Sequence, residues 1–235
     1  MLEPLRARLR CYQARDAFTK ALGRITPKPA RISPSAVTMS RTNWSLSAAW
    51  LLLATTGMRR GEALGLHWGD VTLDHARLSV RQALVLVGNE PALQAPKTAK
   101  GRRSIPLPPE TVAALKAHKA AQLQERFALG ADYDNSRDLV FRREDGTWVH
   151  PASLSRRFET LVRQTSLPEI RLHDLRHTFA TLALQANVPV KVVSEILGHA
   201  SVTITYDTYS HVIRGMAEDA TRKVAALVFG RVEPL

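Results

Sequence analysis

One cysteine, Cys11, stands among 235 residues, which excludes an intrachain disulfide framework and suits a reducing cytoplasm. Long apolar runs are missing as well. The longest, residues 48–54, is far short of the ~20 residues that a membrane span needs, so no membrane partner is expected. The opening MLEPLRARLR carries arginines without an apolar signal core, which fits an ordinary basic helix better than a secretory peptide. No internal repeat or low-complexity tract interrupts the chain. Acidic residues are in short supply: 21 Asp and Glu face 33 Lys and Arg, a formal net charge of +12.

That imbalance names a class of partner. A surface so charged attracts nucleic acid, because neutralising phosphates releases condensed counterions and adds affinity independent of sequence. Biased codon usage would also give an Arg-rich chain, so charge alone favours nucleic acid only modestly. Hydrophobic residues make up 45% of the chain, enough for one large core or two small ones.

Residues 5–22 mix apolar and basic positions in a helical pattern, and residues 26–40 have the proline and serine content of a connector. From 45 to 54 the apolar residues become dense, and a break at Thr56-Gly57 leads into a second helical run ending near Trp68. Between residues 71 and 107 the pattern becomes β-like: LSVRQALVLV, PALQAP and RRSIPL, separated by Gly88-Asn89 and by residues 98–101. These predict a three-stranded antiparallel sheet. Helices are predicted over 109–129, 151–164, 173–186, 189–197 and 213–228. The fold class is therefore α+β, mainly α-helical with a small antiparallel sheet.

Four clusters carry chemistry. In TGMRRGEALGLHWGDV, Gly57 permits a sharp turn, Arg59 begins a helix and Glu62 follows one turn later, placed to orient an arginine. Alone, Arg-x-x-Glu is as readily a solvated ion pair. In PKTAKGRRSIPL, Lys97 closes one strand and Arg102 and Arg103 open the next. This is either a solubilising turn or a hairpin tip that offers cations to a DNA groove. In RLHDLRHTFATLAL, the i, i+3, i+4 spacing of His173, Arg176 and His177 puts two imidazoles and a guanidinium on one helical face, a surface for an anion. Leu175, Phe179, Leu182 and Ala183 make the opposite face apolar. Zinc is discounted there, since the arginine repels a cation and no Glu or Cys stands where a third ligand belongs. In ILGHASVTITYDTYSHV, His199 follows Gly198, and Tyr206 and Tyr209 lie beyond it; a buried tyrosine with a satisfied hydroxyl is the ordinary explanation for either.

Taken together, the clusters resemble the tyrosine recombinase or phage integrase family. That family has an Arg after Thr-Gly, a Lys on a β-hairpin, a His-x-x-Arg pair, a Leu-Gly-His and a Tyr about ten residues beyond. Arg59, Lys97, His173 with Arg176, Leu197-Gly198-His199 and Tyr209 match in order, across residues 48–214. The resemblance implies a catalytic domain at 45–235. It makes residues 1–44 an atypical N-terminal helix and linker, a remnant of the family's DNA-embracing domain. A module truncated in this way puts autonomous recombination in question.

The resemblance also implies a chemistry. Tyr209 attacks a phosphodiester, forming a 3'-phosphotyrosine and conserving the bond energy, so no cofactor and no metal is expected. Arg59 and Arg176 clamp the charged oxygens, His199 adds a hydrogen bond, and Lys97 protonates the leaving oxygen. His173 orients or deprotonates the phenol, Glu62 partners an arginine, and His177 fixes its helix in the core. Arg102 and Arg103 contact DNA, and Tyr206 is the rival nucleophile. The expected partners are a double-stranded recombination site, three further copies in a tetramer that exchanges C-terminal segments, and accessory DNA-bending proteins, all in the cytoplasm. The alternatives are a DNA-binding remnant without recombination and a type IB topoisomerase, whose tyrosine chemistry is the same; LGHAS and HDLRHT resemble integrases instead.

Overall fold

The computed structural model describes residues 37–96, 98–164 and 169–229. The helix expected over residues 5–22, residues 26–36 of the expected connector, and Lys97 lie outside the described residues; residues 37–40, also expected as connector, are instead the start of a helix. Helix α1, Val37–Thr56, carries the densest apolar run. Leu46, Ala49, Trp50, Leu52 and Leu53 are all buried, as a helix apolar on every side must be. The helix starts ahead of the apolar run, so the boundary expected between residues 44 and 45 falls inside it.

After the turn at Gly57 comes a single helical segment, α2, Arg60–Leu64, and then a 3-10 turn at Trp68–Asp70. Strands follow: β1 Val71–Thr72, β2 Arg77–Val80, β3 Ala83–Val87, β4 Glu90–Gln94 and β5 Arg103–Pro106. The three-stranded antiparallel sheet is present, in the order β1-β2-β5. Its membership differs from the expected one. The run LSVRQALVLV breaks at Arg81-Gln82 into β2 and β3, and β3 pairs only with β4, in a hairpin turning at Gly88-Asn89. Leu78, Val80 and Ile105 point into the core from the sheet, while Leu84 anchors the hairpin. Period-2 patterning cannot show that a continuous apolar run changes sheet halfway.

The helices α3 Pro109–Leu129, α4 Pro151–Arg163, α5 Asp174–Gln185 and α6 Val190–Leu197 lie within a residue or two of where periodicity places them. The last helix, α7 Val202–Val228, begins eleven residues before the expected 213 and so includes both Tyr206 and Tyr209. The segment VTITYDTYSHV is rich in β-branched residues, which disfavour helix locally; burial of Thr205 and Tyr209 overrides that. At Tyr209 the backbone leaves helical geometry (φ −113°, ψ 19°), a kink within α7.

Two apolar clusters result. The larger joins α1, the sheet, α3 and α4, with Trp50 edge-on to Phe158 at 6.1 Å. The smaller consists of Ala180, Leu184, Val193, Leu197 and Tyr209, at the meeting of α5, α6 and α7. The polar groups of interest lie along the seam between them. Among the described residues no helix is long and apolar enough to cross a membrane.

Candidate active site

Glu62 organises one side of the site. It sits in the first turn of α2, where its Oε2 accepts from the Arg59 backbone N–H at 2.8 Å and its Oε1 from Arg59 Nη1 at 2.9 Å. Arg103, from the start of β5, reaches the same carboxylate with Nη2 at 2.8 Å and Nη1 at 3.1 Å. Burial alone would push the Glu62 carboxyl pKa up. The hydrogen bonds and positive charge of Arg103, with those of Arg59, outweigh it and hold the group below its ordinary value, hence ionised.

Arg103 was expected on the surface as a DNA contact, and the structure corrects this. Its side chain is 7% exposed. Besides Glu62, its Nε donates to the Ile196 carbonyl at 2.6 Å and its Nη1 to the Gly101 carbonyl at 3.2 Å. It therefore ties β5 to the end of α6 and to α2. A charge on a turn looks solvated in sequence because the turn's distant neighbours are invisible there. Arg102 is exposed, and Lys100 donates from Nζ to the Ala200 carbonyl at 2.9 Å.

Arg176 lies deeper, 5% exposed on α5. Its Nη1 donates to the Gly57 carbonyl at 2.7 Å and its Nη2 to the Leu197 carbonyl at 2.8 Å, bridging α1 and α6. Gly57 has φ +63°, and a Cβ there would stand 2.7 Å from Phe179 and 2.8 Å from Leu197. Only glycine lets that carbonyl approach. Burial, and then the nearby Arg59, push the Arg176 pKa down to about 10, so the guanidinium remains charged at neutral pH. Three guanidinium groups around one carboxylate leave an excess of positive charge that an anion would relieve.

His199 follows Gly198, whose φ of +66° ends α6 in the left-handed region. Its Nδ1 is 2.8 Å from Thr205 Oγ1. Burial, then Arg176, Arg59 and Arg103, depress its pKa to about 4. The ring is thus neutral, and Thr205 engages its Nδ1, leaving Nε2 as the nitrogen free to meet a ligand. Nothing in the sequence singles out Thr205, which lies beside His199 because α7 starts at Val202.

The histidines of α5 are placed differently from expectation. His177, expected to fix its helix, places Nδ1 3.0 Å from Tyr209 Oη. His173, expected to orient the phenol, stands exposed at the position before the first helical residue and meets His177 edge to face, ring centroids 5.1 Å apart. Both sides of α5 are covered: Arg176, Ala180, Thr181 and Leu184 are buried on the polar side and Leu175 on the apolar side, whereas Leu182 is 37% exposed. Spacing identifies which residues share a face, not which way that face turns. Burial lowers the pKa of both rings, with His177 and Arg176 adding to it at His173. At His177 Asp174 opposes the burial effect.

Tyr209 is 3% exposed, its ring in the smaller apolar cluster and its hydroxyl turned to His177. Tyr206, three residues earlier, is 48% exposed. Arg59, Glu62, Arg103, Arg176, His177, His199 and Tyr209 thus come together from segments far apart in the chain. His173 stands at the edge and Arg102 outside.

A mainly helical domain carrying a small antiparallel sheet and this cluster has the fold of tyrosine recombinase catalytic domains. The integrase of transposon Tn1549, solved with transposon right end DNA, superposes with a TM-score of 0.66 at 22% identity, over 85% of this chain and 68% of that one. XerA recombinase gives 0.60 at 25% identity, over 83% and 67%. Residues 34–215 match the Phage integrase family, and the chain belongs to it. A tyrosine recombinase XerC-like protein of Caldanaerobacter subterraneus subsp. tengcongensis is 34% identical over 72% of this chain and 46% of its own length. A putative prophage phiRv2 integrase of Mycobacterium tuberculosis is 30% identical over 78% and 44%. The chain spans less than half the length of either relative.

Proposed function

We propose that this chain is the catalytic part of a site-specific DNA recombinase that cuts and rejoins strands through a 3'-phosphotyrosine on Tyr209, without a metal. The observation that carries this is the phenol of Tyr209 hydrogen-bonded to His177 beside the buried guanidinium of Arg176, with Arg59 open to solvent next to it. Tyr209 Oη attacks phosphorus in line and the 5'-oxygen leaves. Arg59 and Arg176 take up the charge that grows on the non-bridging oxygens, and neutral His199 donates from Nε2. Lys97 supplies the leaving group's proton. Glu62 and Arg103 hold Arg59 and the end of α6 in place. Attack by another strand's hydroxyl on the phosphotyrosine completes the exchange.

Tyr209 is stored against α5 and α6, so binding of DNA must bring the phosphate to it or release it from the kink. Double-stranded DNA lies against the exposed cations, Arg102 among them. A tetramer assembled through the C-terminal segment 213–235, accessory DNA-bending proteins and a place in the cytoplasm complete the proposal.

The test is a nicked duplex in which the short cleaved strand diffuses away and traps the adduct. A covalent protein-DNA species mapped to Tyr209 by mass spectrometry, and absent from Tyr209→Phe, is the expected result. Religation without exchange of partners would assign a topoisomerase instead, and binding without any adduct would leave a DNA-binding remnant.

A further inference from the structure

We infer that His177, through Nδ1, is the group that takes the proton from the Tyr209 hydroxyl as the phenol attacks. This rests on the strand-transfer proposal above and assigns within it a step given to His173 on sequence grounds.

The geometry selects one ring. Nδ1 of His177 is 3.0 Å from Tyr209 Oη, within the range of a hydrogen bond along which a proton can pass. The ring of His173 packs edge to face on His177, at 5.1 Å. The phenol is 3% exposed, so bulk water does not take the proton directly. The groups facing His177 suit the task in both protonation states. Burial first, and then Arg176 and Arg171, disfavour the imidazolium, which keeps the ring neutral and able to accept, while Asp174 on the same helix offsets that charge once the proton arrives. His173 flanks it on the side of α5, and Tyr209 meets it from α7.

The step balances. The O–H bond of Tyr209 breaks as its oxygen bonds to phosphorus, and the proton moves to His177 Nδ1. The bond from phosphorus to the 5'-oxygen breaks with its electron pair on that oxygen, which takes its proton from the general acid. On reversal the His177 imidazolium returns its proton to the departing phenolate. An ordinary phenol, pKa near ~10, is a far weaker acid than imidazolium, so the transfer has to accompany bond formation to phosphorus instead of preceding it.

The experiment uses the full chain and a pool of nicked duplexes with randomised sequence around the nick, from which wild-type protein captures its substrate covalently. Adduct formation is then timed between pH 5 and 9 for wild type, His177→Ala and His177→Asn. Asparagine keeps an acceptor where Nδ1 stands but cannot hold the proton. We expect both variants to form adduct about 10²–10³-fold more slowly. They should also lose the fall in rate that wild type shows as His177 protonates, below the ordinary histidine range. A substrate with sulfur in place of the bridging 5'-oxygen needs no acid, and it should leave the defect unchanged. If His177→Ala fails to fold, His177→Asn decides. Wild-type rates in His177→Asn across the range would reduce His177 to a hydrogen-bond acceptor, faster rates would make it a restraint on the phenol, and rescue by sulfur would put it at the leaving group; each overturns the inference. Those outcomes leave the strand-transfer proposal standing. That proposal fails, and this one with it, if wild type captures no duplex or if Tyr209→Phe captures the same ones.

Discussion

Arg103 and Glu62, 41 residues apart, meet in a paired contact with Nη2–Oε2 at 2.8 Å and Nη1–Oε1 at 3.1 Å, their side chains 7% and 6% exposed. A buried pair of this kind costs much to desolvate, and loss of one partner strands the other without compensation. Glu62→Ala should therefore lower the unfolding free energy by about 3–5 kcal/mol, read by urea titration. Combined with Arg103→Met it should cost less than the two single changes added together. Arg102→Ala is the contrasting case. An exposed cation should leave stability within about 0.5 kcal/mol and weaken DNA binding evenly across sequences, reducing the salt slope by about 1.

Gly198 sits at φ +66°, and a Cβ there would stand 2.7 Å from Arg103 Nη1. Gly198→Ala adds a left-handed backbone to a displaced guanidinium, and should cost about 1–3 kcal/mol. Adduct formation should fall further than stability does, because His199 is the next residue. Equal adduct rates for the variant and wild type under conditions where both are folded would contradict this.

Thr205 is fully buried and orients His199 through Nδ1 at 2.8 Å. Thr205→Val preserves shape and removes the hydroxyl. The expected loss is about 1 kcal/mol of stability and about tenfold in adduct formation, a step of 1.4 kcal/mol. Thr205→Ser should recover most of the rate in the same gel assay.

His118 lies far from the site, buried against Phe141, with Nε2 2.6 Å from the Val140 carbonyl. Burial depresses its pKa from 6.5 to about 4. The unfolded chain thus takes up this proton first as pH falls. The stability it represents is present above pH 6.5 and lost progressively down to about pH 4, up to about 3 kcal/mol in all. His118→Leu should flatten the slope of unfolding free energy against pH in that window by about one proton. His199, which shifts in the same direction, should keep part of the slope in place. Parallel curves for variant and wild type from pH 4 to 7 would sink the assignment.

Much of the architecture is legible in residue order. Helices α3 to α6 follow from periodicity and from Pro109 and Pro151 at their starts, and α1 from a run apolar on all sides. Each is a local property, since burial of one face needs only the right spacing. Arg59, Arg176, His199 and Tyr209 are nominated by the resemblance of their motifs to the recombinase family; spacing by itself leaves Arg59 a solvated ion pair and Tyr209 an ordinary buried tyrosine.

Partnership was not legible. Which of two histidines meets the phenol depends on how α5 is rotated between α1 and α7, and one turn of helix carries both candidates. That Arg103 is buried depends on Glu62 and on the Ile196 carbonyl, 41 and 93 residues away. The early start of α7 arises because Thr205 and Tyr209 find burial there, against the preference of a β-branched run. Short-range spacing encodes the elements and their polar faces. The direction in which those faces turn, and so which proton, charge and phenol are neighbours, is set by packing between distant segments.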